Sequence, residues 1–408
     1  MRSSIHICFK KTVLYWIFST VLAIQSNAQE NASLSINAKS YQLYEKQQWT
    51  ELIAFGEEAL LKETDYFYLR MRIGIAYYEK SNFALAQVHF RKALYFNSTD
   101  VLAQEYLYYC YVFTGKQEEA MQLSLLFSEK LKSKIGIANK SAVEEITLES
   151  AQKSPKEKYV NSEGTAFFQN ATYIQLGLKH SLKNRFSLFH AATYYSQKSN
   201  IGDVKQTQYY LQGTVPLKNQ WTLQPAIHLI NTKYSNASVP VQNETNDNSF
   251  LASFSLSKRI KKTEITAGTT YTDNPQLSQN TYFGRIAYAP LGNSKFILGY
   301  THYVHSSASN SVQNNSKAPY LYFEPTTKTS LKVSYFDNEN SNIAEDNGYL
   351  VNNAYHLTKN RLALLLDYDI SKSLTVYGMY QYEQKTHREV NNFDFEYNLY
   401  LVGLKFRL

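Results

Sequence analysis

The stretch QYYLQGTVPL-KN-QWTLQPAIHL, residues 208–229, decides how this chain folds. In both arms the odd-numbered positions carry most of the large apolar side chains, and the even-numbered positions are mostly polar. Successive side chains of a strand point to opposite faces, so each arm is predicted to be a strand with one apolar and one polar face. The apolar positions are Tyr209, Leu211, Val215 and Leu217 in the first arm and Trp221, Leu223, Ile227 and Leu229 in the second.

Strands of this kind continue to the C-terminus, and short turns alternate with longer polar segments. This alternation is typical of outer-membrane barrels, which have tight periplasmic turns and long external loops. It predicts an antiparallel transmembrane β-barrel over residues 157–408 with about 14 strands, in a range of roughly 12 to 16. We expect the first strand near Glu157–Glu163, and Tyr349–Leu357 is a further candidate. The short turns are Lys183-Asn184, Lys218-Asn219, Arg259–Lys262, Leu291–Ser294, Pro325–Thr327 and Ser371–Ser373; the longer segments are Ser199–Lys205, Ser235–Asn248, Asp273–Asn280, Ser306–Lys317, Asn338–Asn360 and Lys385–Asn392.

The amino-acid composition and the C-terminal segment are both consistent with a barrel that spans a membrane. Aromatic residues make up 15% of the chain, with 35 tyrosines, and barrels collect such rings in girdles at the two membrane interfaces. The final segment resembles the C-terminal signal read by the barrel assembly machinery, with Leu408 where an aromatic residue is commonest. The lipid of the outer membrane and this machinery are therefore expected partners. One face of this final segment carries the apolar residues Tyr400, Val402, Leu404, Phe406 and Leu408.

Residues 1–28 have the features of a secretory signal peptide. Arg2, Lys10 and Lys11 precede an apolar core over 12–24, and Ser26-Asn27-Ala28 places small residues before a predicted cleavage at Gln29. The core is shorter than the ~20 residues of a spanning helix. Without this segment the formal charge falls from +8 by three positives, 8 − 3 = +5, with no basic block that would indicate nucleic-acid binding. Cys110 remains as a single cysteine, so no intrachain disulfide is expected.

Residues 29–135 change to a helical period and contain an internal repeat. Tyr44–Trp49 matches Tyr78–Phe83 at an offset of 34 residues (78 − 44). The middle copy resembles a tetratricopeptide repeat, and the flanking copies depart from it as end repeats do. The sequence therefore predicts an α+β multidomain protein, in which a helical tetratricopeptide solenoid over 29–135 and a linker over 136–156 precede the barrel. The repeat positions in the middle copy are Gly74, Tyr77, Ala86, Phe90 and Ala93.

The repeat resemblance implies a binding groove made by the first helix of each pair. Such stacks hold a partner on their concave surface, and a groove rich in tyrosine suits a peptide or a sugar ring. The expected partner is a periplasmic protein or polysaccharide; the alternative is that several of these rings pack against the next repeat. The groove positions are Tyr41, Tyr44, Met71, Ile75, Tyr78, Glu105 and Tyr109.

No catalytic set, metal site or cofactor site is predicted. The histidines are scattered, and His302 and His305 are three apart, which on a strand places them on opposite faces. Asp346-Asn347-Gly348 lacks the ligand series of a calcium loop. Phosphate-loop and hydrolase motifs are missing from the sequence.

The order of signal peptide, repeats, linker and barrel resembles the YaiO-type barrel family and the porins that export exopolysaccharide. The resemblance implies a non-enzymatic barrel in the bacterial outer membrane, with the repeats in the periplasm docking a partner and the lumen passing a saccharide or another solute. Three alternatives stay open. They are a membrane-anchored scaffold with a plugged barrel, an outer-membrane lipid-modifying enzyme, and a soluble secreted β protein.

Overall fold

The computed structural model describes residues 34–137, 142–156, 168–182, 186–199, 202–235, 245–273, 278–307, 310–386 and 394–408. For 310–313, 339–343 and 352–356 the description covers the backbone alone. The predicted signal peptide lies outside the described residues. Contacts divide the chain into two units, Met1–Cys110 and Tyr111–Leu408. None of the described helices is long and apolar enough to cross a membrane.

The first unit is helical, and helix α5 ends in the second unit. Gly74 of α3 lies against the Phe90 ring of α4 so closely that a Cβ there would meet the ring at 2.8 Å. Tyr77 stacks on His89 with ring centroids 5.4 Å apart, and its hydroxyl donates to Glu57 at 3.2 Å. The small residue therefore lets two helices approach, while the repeat assignment itself stays a prediction. Within the described residues the helices are α1 (34–45), α2 (Trp49–Leu61), α3 (Phe67–Glu79), α4 (Phe83–Phe96), α5 (Val101–Phe113), α6 (Gln117–Ser124) and α7 (Glu129–Ile135).

The second unit contains a closed antiparallel barrel. Fourteen strands were found in the described ranges, each paired with its chain neighbours, and β1 pairs with β14 to close the circuit. The predicted strand number is thus confirmed. The strands are β1 (Val143–Pro155), β2 (Phe168–Leu182), β3 (Phe186–Ser199), β4 (Gly202–Pro216), β5 (Trp221–Tyr234), β6 (Thr245–Ile260), β7 (Thr263–Asp273), β8 (Gln279–Tyr288), β9 (Phe296–Ser307), β10 (Asn310–Phe323), β11 (Thr329–Glu345), β12 (Leu350–Asp369), β13 (Leu374–Thr386) and β14 (Asp394–Arg407).

Residues 208–229 form β4, a one-turn 3-10 helix at Lys218–Gln220, and β5. The two predicted apolar stripes meet in register, since Tyr209 pairs with Leu229 and Leu211 with Ile227. Tyr209 and Leu229 are exposed on the outside of the barrel, whereas Tyr210 is buried on the inside. The stripe is therefore the lipid-facing side, and the alternate residues face the lumen.

The structure corrects the start of the barrel. Strand β1 covers Val143–Pro155, inside the segment predicted as a linker, and not Glu157–Glu163, whose residues lie outside the described part. It pairs with β2 and β14, for example Leu148 with Leu404. The alternation is hard to see in this strand because its lumen face is charged and its outer face is only partly apolar. The contact boundary between Cys110 and Tyr111 also groups α6 and α7 with the barrel, not with the predicted repeat domain over 29–135.

Three predicted external loops are largely strand. Ser199–Lys205 and Ser306–Lys317 are mostly paired, and Asn338–Asn360 contains the ends of β11 and β12 with only 346–349 between them. The candidate strand Tyr349–Leu357 is the start of β12, so it adds no strand to the count. Backbone pairing does not require an apolar face, and such strand ends lose the alternation from which they would be recognised.

Candidate functional site

The barrel encloses a cavity of about 2080 Å³. We call the end where β1 begins and β14 ends the terminal rim, and the other end the opposite rim. Glu145 and Glu324 line the cavity near the terminal rim, and Asp203 and Thr245 line it near the opposite rim. The cavity therefore extends along the barrel between the two rims.

A recurring side-chain pair lines this lumen. A tyrosine hydroxyl donates to the amide or carboxylate oxygen two residues later on the same strand, and both residues face inward because the side-chain period is two. Aromatic faces next to amides are surfaces on which sugar rings stack and hydrogen-bond. The pairs are Tyr173 with Gln175 at 2.6 Å, Tyr195 with Gln197 at 2.7 Å, Tyr210 with Gln212 at 2.8 Å and Tyr322 with Glu324 at 2.8 Å.

The connection between β11 and β12 folds into the lumen and crosses it. We call residues 344–351 the lumen hairpin; Ala344 pairs with Val351 and Glu345 with Leu350. Its tip contacts strands that lie three to six strands away around the barrel. The contacts are Tyr349 with Gln175 on β2 at 2.5 Å, the Asn347 carbonyl with Tyr210 on β4 at 3.4 Å, the Gly348 carbonyl with His228 on β5 at 2.8 Å, and Asp346 with Arg285 on β8 at 2.6 Å.

The residues at the hairpin tip suit the backbone conformation that the tip adopts. Asp346, Asn347 and Gly348 have φ values of 46°, 57° and 76°, the left-handed region that Asp, Asn and Gly tolerate best. Opposite Gly348 the wall offers small side chains, Ser253 and Thr270. The motif considered for calcium is therefore a turn whose aspartate pairs with an arginine, and no metal-binding group of His, Cys, Asp or Glu occurs among the described residues.

Several lumen charges neutralise each other. Arg361 makes two hydrogen bonds to Glu345, at 2.6 and 2.7 Å. Lys153 bonds to Glu383, and Lys385 lies 3.4 Å from the same carboxylate. The Tyr377 hydroxyl donates to Glu149 at 2.7 Å. Together with Arg285–Asp346, these pairs form a polar wall without a large block of one sign.

A segment before β1 lies on the terminal rim, and we call residues 113–124 the strap. The Phe113 carbonyl accepts a hydrogen bond from the Ser294 backbone N–H (3.1 Å). The Thr114 carbonyl accepts one from the Arg259 side chain (3.0 Å). Gln122 donates to the Pro216 carbonyl at 3.4 Å, and Glu119 accepts from Thr222 at 3.2 Å. Gly115 and Gln117 line the cavity, so the strap forms part of its wall at this rim.

Ion pairs attach the strap to the barrel. Lys116 lies 2.8 Å from Glu264 on β7, and Glu118 lies 2.9 Å from Lys179 on β2 and accepts from Ser187 on β3. Burial alone would raise the pKa of the Glu118 carboxyl, but the Lys179 ammonium outweighs it and holds that pKa below its ordinary value. The carboxylate is therefore charged when the strap is docked.

The predicted groove residues are not equally accessible within their own unit. Tyr41 is exposed and lies under the Arg72 guanidinium, 5.2 Å from its ring centroid. Met71 and Ile75 are buried, because they contribute to the helical core. The rings of Tyr44 and Tyr78 pack edge-on against Trp49 and Phe83, while Glu105 and Tyr109 are half-buried. Of the seven, Tyr41 is the most available for a ligand.

One nucleophile–base pair escaped the sequence analysis. Ser316 on β10 and His305 on β9 are 2.8 Å apart, and Ser316 also donates to Asn338. Neighbouring strands bring them together at positions 11 apart in sequence, which no spacing rule marks. His305 and Ser316 are buried without a surface for substrate, so we interpret them as a structural network. His302 contacts Tyr300 on the outer face, which confirms that the two histidines face opposite sides.

No known family model matches the chain, and no curated protein matches it. Solved structures with a similar fold include a mutant of the TodX monoaromatic hydrocarbon channel, with 9% identity and a TM-score of 0.47 over 70% of this chain and 94% of that one. The CymD monoaromatic hydrocarbon channel has 8% identity and a TM-score of 0.45 over 67% and 90%. A FadL homologue from Pseudomonas aeruginosa has 10% identity and a TM-score of 0.39 over 65% and 90%.

These are likenesses at low identity, and the class of protein follows from the barrel's own geometry. A closed antiparallel circuit leaves no unpaired edge, which lipid requires. Its outer face exposes apolar side chains such as Leu176, Leu229 and Leu364. The chain therefore contains a transmembrane β-barrel of the outer-membrane type.

Proposed function

We propose that this protein is a non-enzymatic conduit of the bacterial outer membrane, and that its helical unit binds a partner in the periplasm. The observation that carries the conduit is the cavity lined from near one rim to near the other, past the lumen hairpin. The tyrosine–glutamine pairs and the mutually neutralised charges favour an uncharged saccharide as the solute, exopolysaccharide included.

The experiment is single-channel recording of the full mature chain in planar bilayers. We expect discrete conductance steps, and a neutral oligosaccharide such as maltohexaose should interrupt the current. Tyr173→Ala and Tyr195→Ala should shorten the interruptions by about three- to tenfold, because each removes a stacking surface. Tyr209→Ala, which changes the lipid-facing neighbour of Tyr210, is the matched control. The absence of any conductance under all conditions would contradict the proposed conduit.

A second candidate is an anchored scaffold with a plugged barrel. The lumen hairpin and the strap favour it, because both occupy space that a solute would need. Removing residues 344–351 with a short Gly-Gly closure separates the two candidates. A conduit conducts before the deletion and more strongly after it, whereas a plugged scaffold conducts only after it.

For the helical unit we propose that Tyr41 contacts the periplasmic partner, a protein or polysaccharide. Its exposure and its contact with Arg72 support this. Tyr41→Ala in the full chain should reduce partner recovery after cross-linking in cells by about fivefold or more. Tyr95→Ala, also an exposed tyrosine of this unit, should leave recovery unchanged. Equal recovery with both variants would exclude Tyr41 from the interface.

A further inference from the structure

We propose that the strap closes the terminal rim of the barrel, that its ion pairs hold it closed, and that its release opens the lumen. The inference rests on the proposed conduit and adds a device that controls it. It is carried by the position of the strap and by the chemistry of its contacts.

The described contacts of the strap extend over one continuous half of the rim. Its described contacts begin at Lys179 on β2 and end at Ser294 in the turn between β8 and β9. Contacts with Pro216, Thr222 and Arg259 lie between these two. Lys179 and Ser294 lie at nearly opposite points of the 14-strand circuit, so a segment that joins them narrows the opening at this rim.

Polar and charged contacts help to hold the strap, alongside the buried apolar side chains of Ala120 and Met121. Lys116 and Glu119 are buried, and the barrel supplies Glu264 and Thr222 as their partners. A buried charge is tolerated only while it is compensated. Lys116 also lies 3.4 Å from Glu119, and Glu264 also pairs with Arg259, so removing one barrel partner weakens this compensation without abolishing it. Loss of a single pair should therefore favour the undocked state. An apolar interface would not respond in this way.

The chain enters the strap through a fixed turn. Gly115, with φ of +72°, follows α5; Lys116 N donates to the Tyr111 carbonyl at 2.8 Å and Gly115 N to the Val112 carbonyl at 3.1 Å. This is the glycine helix end known as the Schellman motif. Helix α5 begins in the helical unit, so a partner that binds that unit better when the strap is free would shift the population toward the open state.

The experiment cross-links the strap to the barrel reversibly in the full chain. Gln122→Cys and Thr222→Cys are chosen because Gln122 contacts Pro216, the register partner of Thr222. Cys110→Ala removes the native thiol. A short reducible bis-methanethiosulfonate joins the two cysteines, and current is measured before and after reduction.

We expect the linked protein to conduct at about one tenth or less of the reduced protein. Without the linker, Lys179→Gln and Glu264→Gln should each raise the open fraction by about three- to tenfold. Lys258→Gln is the matched control, since Lys258 is at the same rim but bonds to Asn219. Equal conductance of the linked and reduced proteins would overturn the proposal.

A second readout separates this inference from the conduit itself. Maleimide labelling of Gln122→Cys measures strap release without any current. Faster labelling in Lys179→Gln than in Lys258→Gln, with no conductance in either, would keep the moving strap and reject the conduit. Equal labelling in a conducting protein would reject the strap and keep the conduit.

Discussion

Arg285 on β8 and Asp346 at the tip of the lumen hairpin meet inside the barrel, with Nη2 and Oδ1 2.6 Å apart. The two residues are 61 apart in sequence, and strand β8 lies three strands away from β11 around the circuit. This pair ties the hairpin tip to a strand that is not adjacent to β11 or β12, so it helps to hold the tip inside the lumen.

Breaking that pair should widen the lumen. We expect Arg285→Gln and Asp346→Asn each to free the tip at a cost of about 1 kcal/mol or less, because both side chains are partly solvated. The measurement is single-channel conductance and its noise. The double variant should resemble the single ones, and additive effects would show that the two residues do not act as a pair.

The tip conformation should depend on Gly348. Its φ of +76° is unfavourable for alanine, and a Cβ would meet Thr270 at 3.4 Å, so Gly348→Ala should destabilise the hairpin by about 1–2 kcal/mol. Gly284→Ala is the control, since a Cβ there has open space around it and its φ is not left-handed. Heat-modifiable gel migration in a urea series measures both. Equal shifts would contradict the proposed strain.

Strand β1 should behave as a lipid-exposed barrel strand. Leu148 is exposed on the outer face, so Leu148→Arg should cost about 2–4 kcal/mol near the membrane midplane. Gln152→Arg, on the same face but closer to the opposite rim, should cost about 0–1 kcal/mol. Urea unfolding in liposomes gives both values. If Leu148→Arg leaves the free energy of unfolding unchanged, Val143–Pro155 is a linker and not a membrane-spanning strand.

Docking of the strap should weaken in acid. The pKa of Glu118 is depressed in the docked state, so its contribution is present above the free carboxylate value of about 4.3 and is lost as pH falls through the depressed pKa. Hydrogen exchange of residues 113–124, corrected for the intrinsic rate, should therefore rise below about pH 4. Glu118→Gln should remove this rise. An unchanged pH profile in that variant would assign the effect to another group.

The helical unit should be sensitive to added volume at Gly74. Alanine would gain about 1 kcal/mol of helix propensity, but its Cβ would lie 2.8 Å from the fully buried Phe90 ring. Overpacking costs about 1–3 kcal/mol, so we expect a net loss for Gly74→Ala. Phe90→Leu should partly rescue it. Thermal unfolding followed at a helical circular-dichroism band measures the change, and a more stable Gly74→Ala would contradict the close packing.

Local alternation was enough to predict the barrel. In β4 and β5 the apolar stripe is continuous, because those strands face lipid for most of their length, and fourteen strands follow from counting turns. The same rule failed for β1 and for the ends of β9 to β12. There the apolar stripe is short or missing, and backbone hydrogen bonds between strands do not require any particular type of side chain.

The candidate site was much less accessible to prediction. Asp346-Asn347-Gly348 is recognisable as a turn, but its direction into the lumen is decided by Arg285, His228 and Tyr210, which lie on other strands. The charged strap likewise looks like an ordinary solvated helix until its barrel partners are known. For the groove, the resemblance to tetratricopeptide repeats implied the positions but could not show that Met71 and Ile75 are buried.

The sequence by itself determined the fold class, because alternation along one strand is a local property that burial in lipid imposes on each segment separately. Only the tertiary structure decided what occupies the lumen and its rim. Those contacts join residues that are distant in the chain, such as Arg285 with Asp346 and Lys116 with Glu264. These pairs form only when the circuit has closed and has arranged the strands around one cavity.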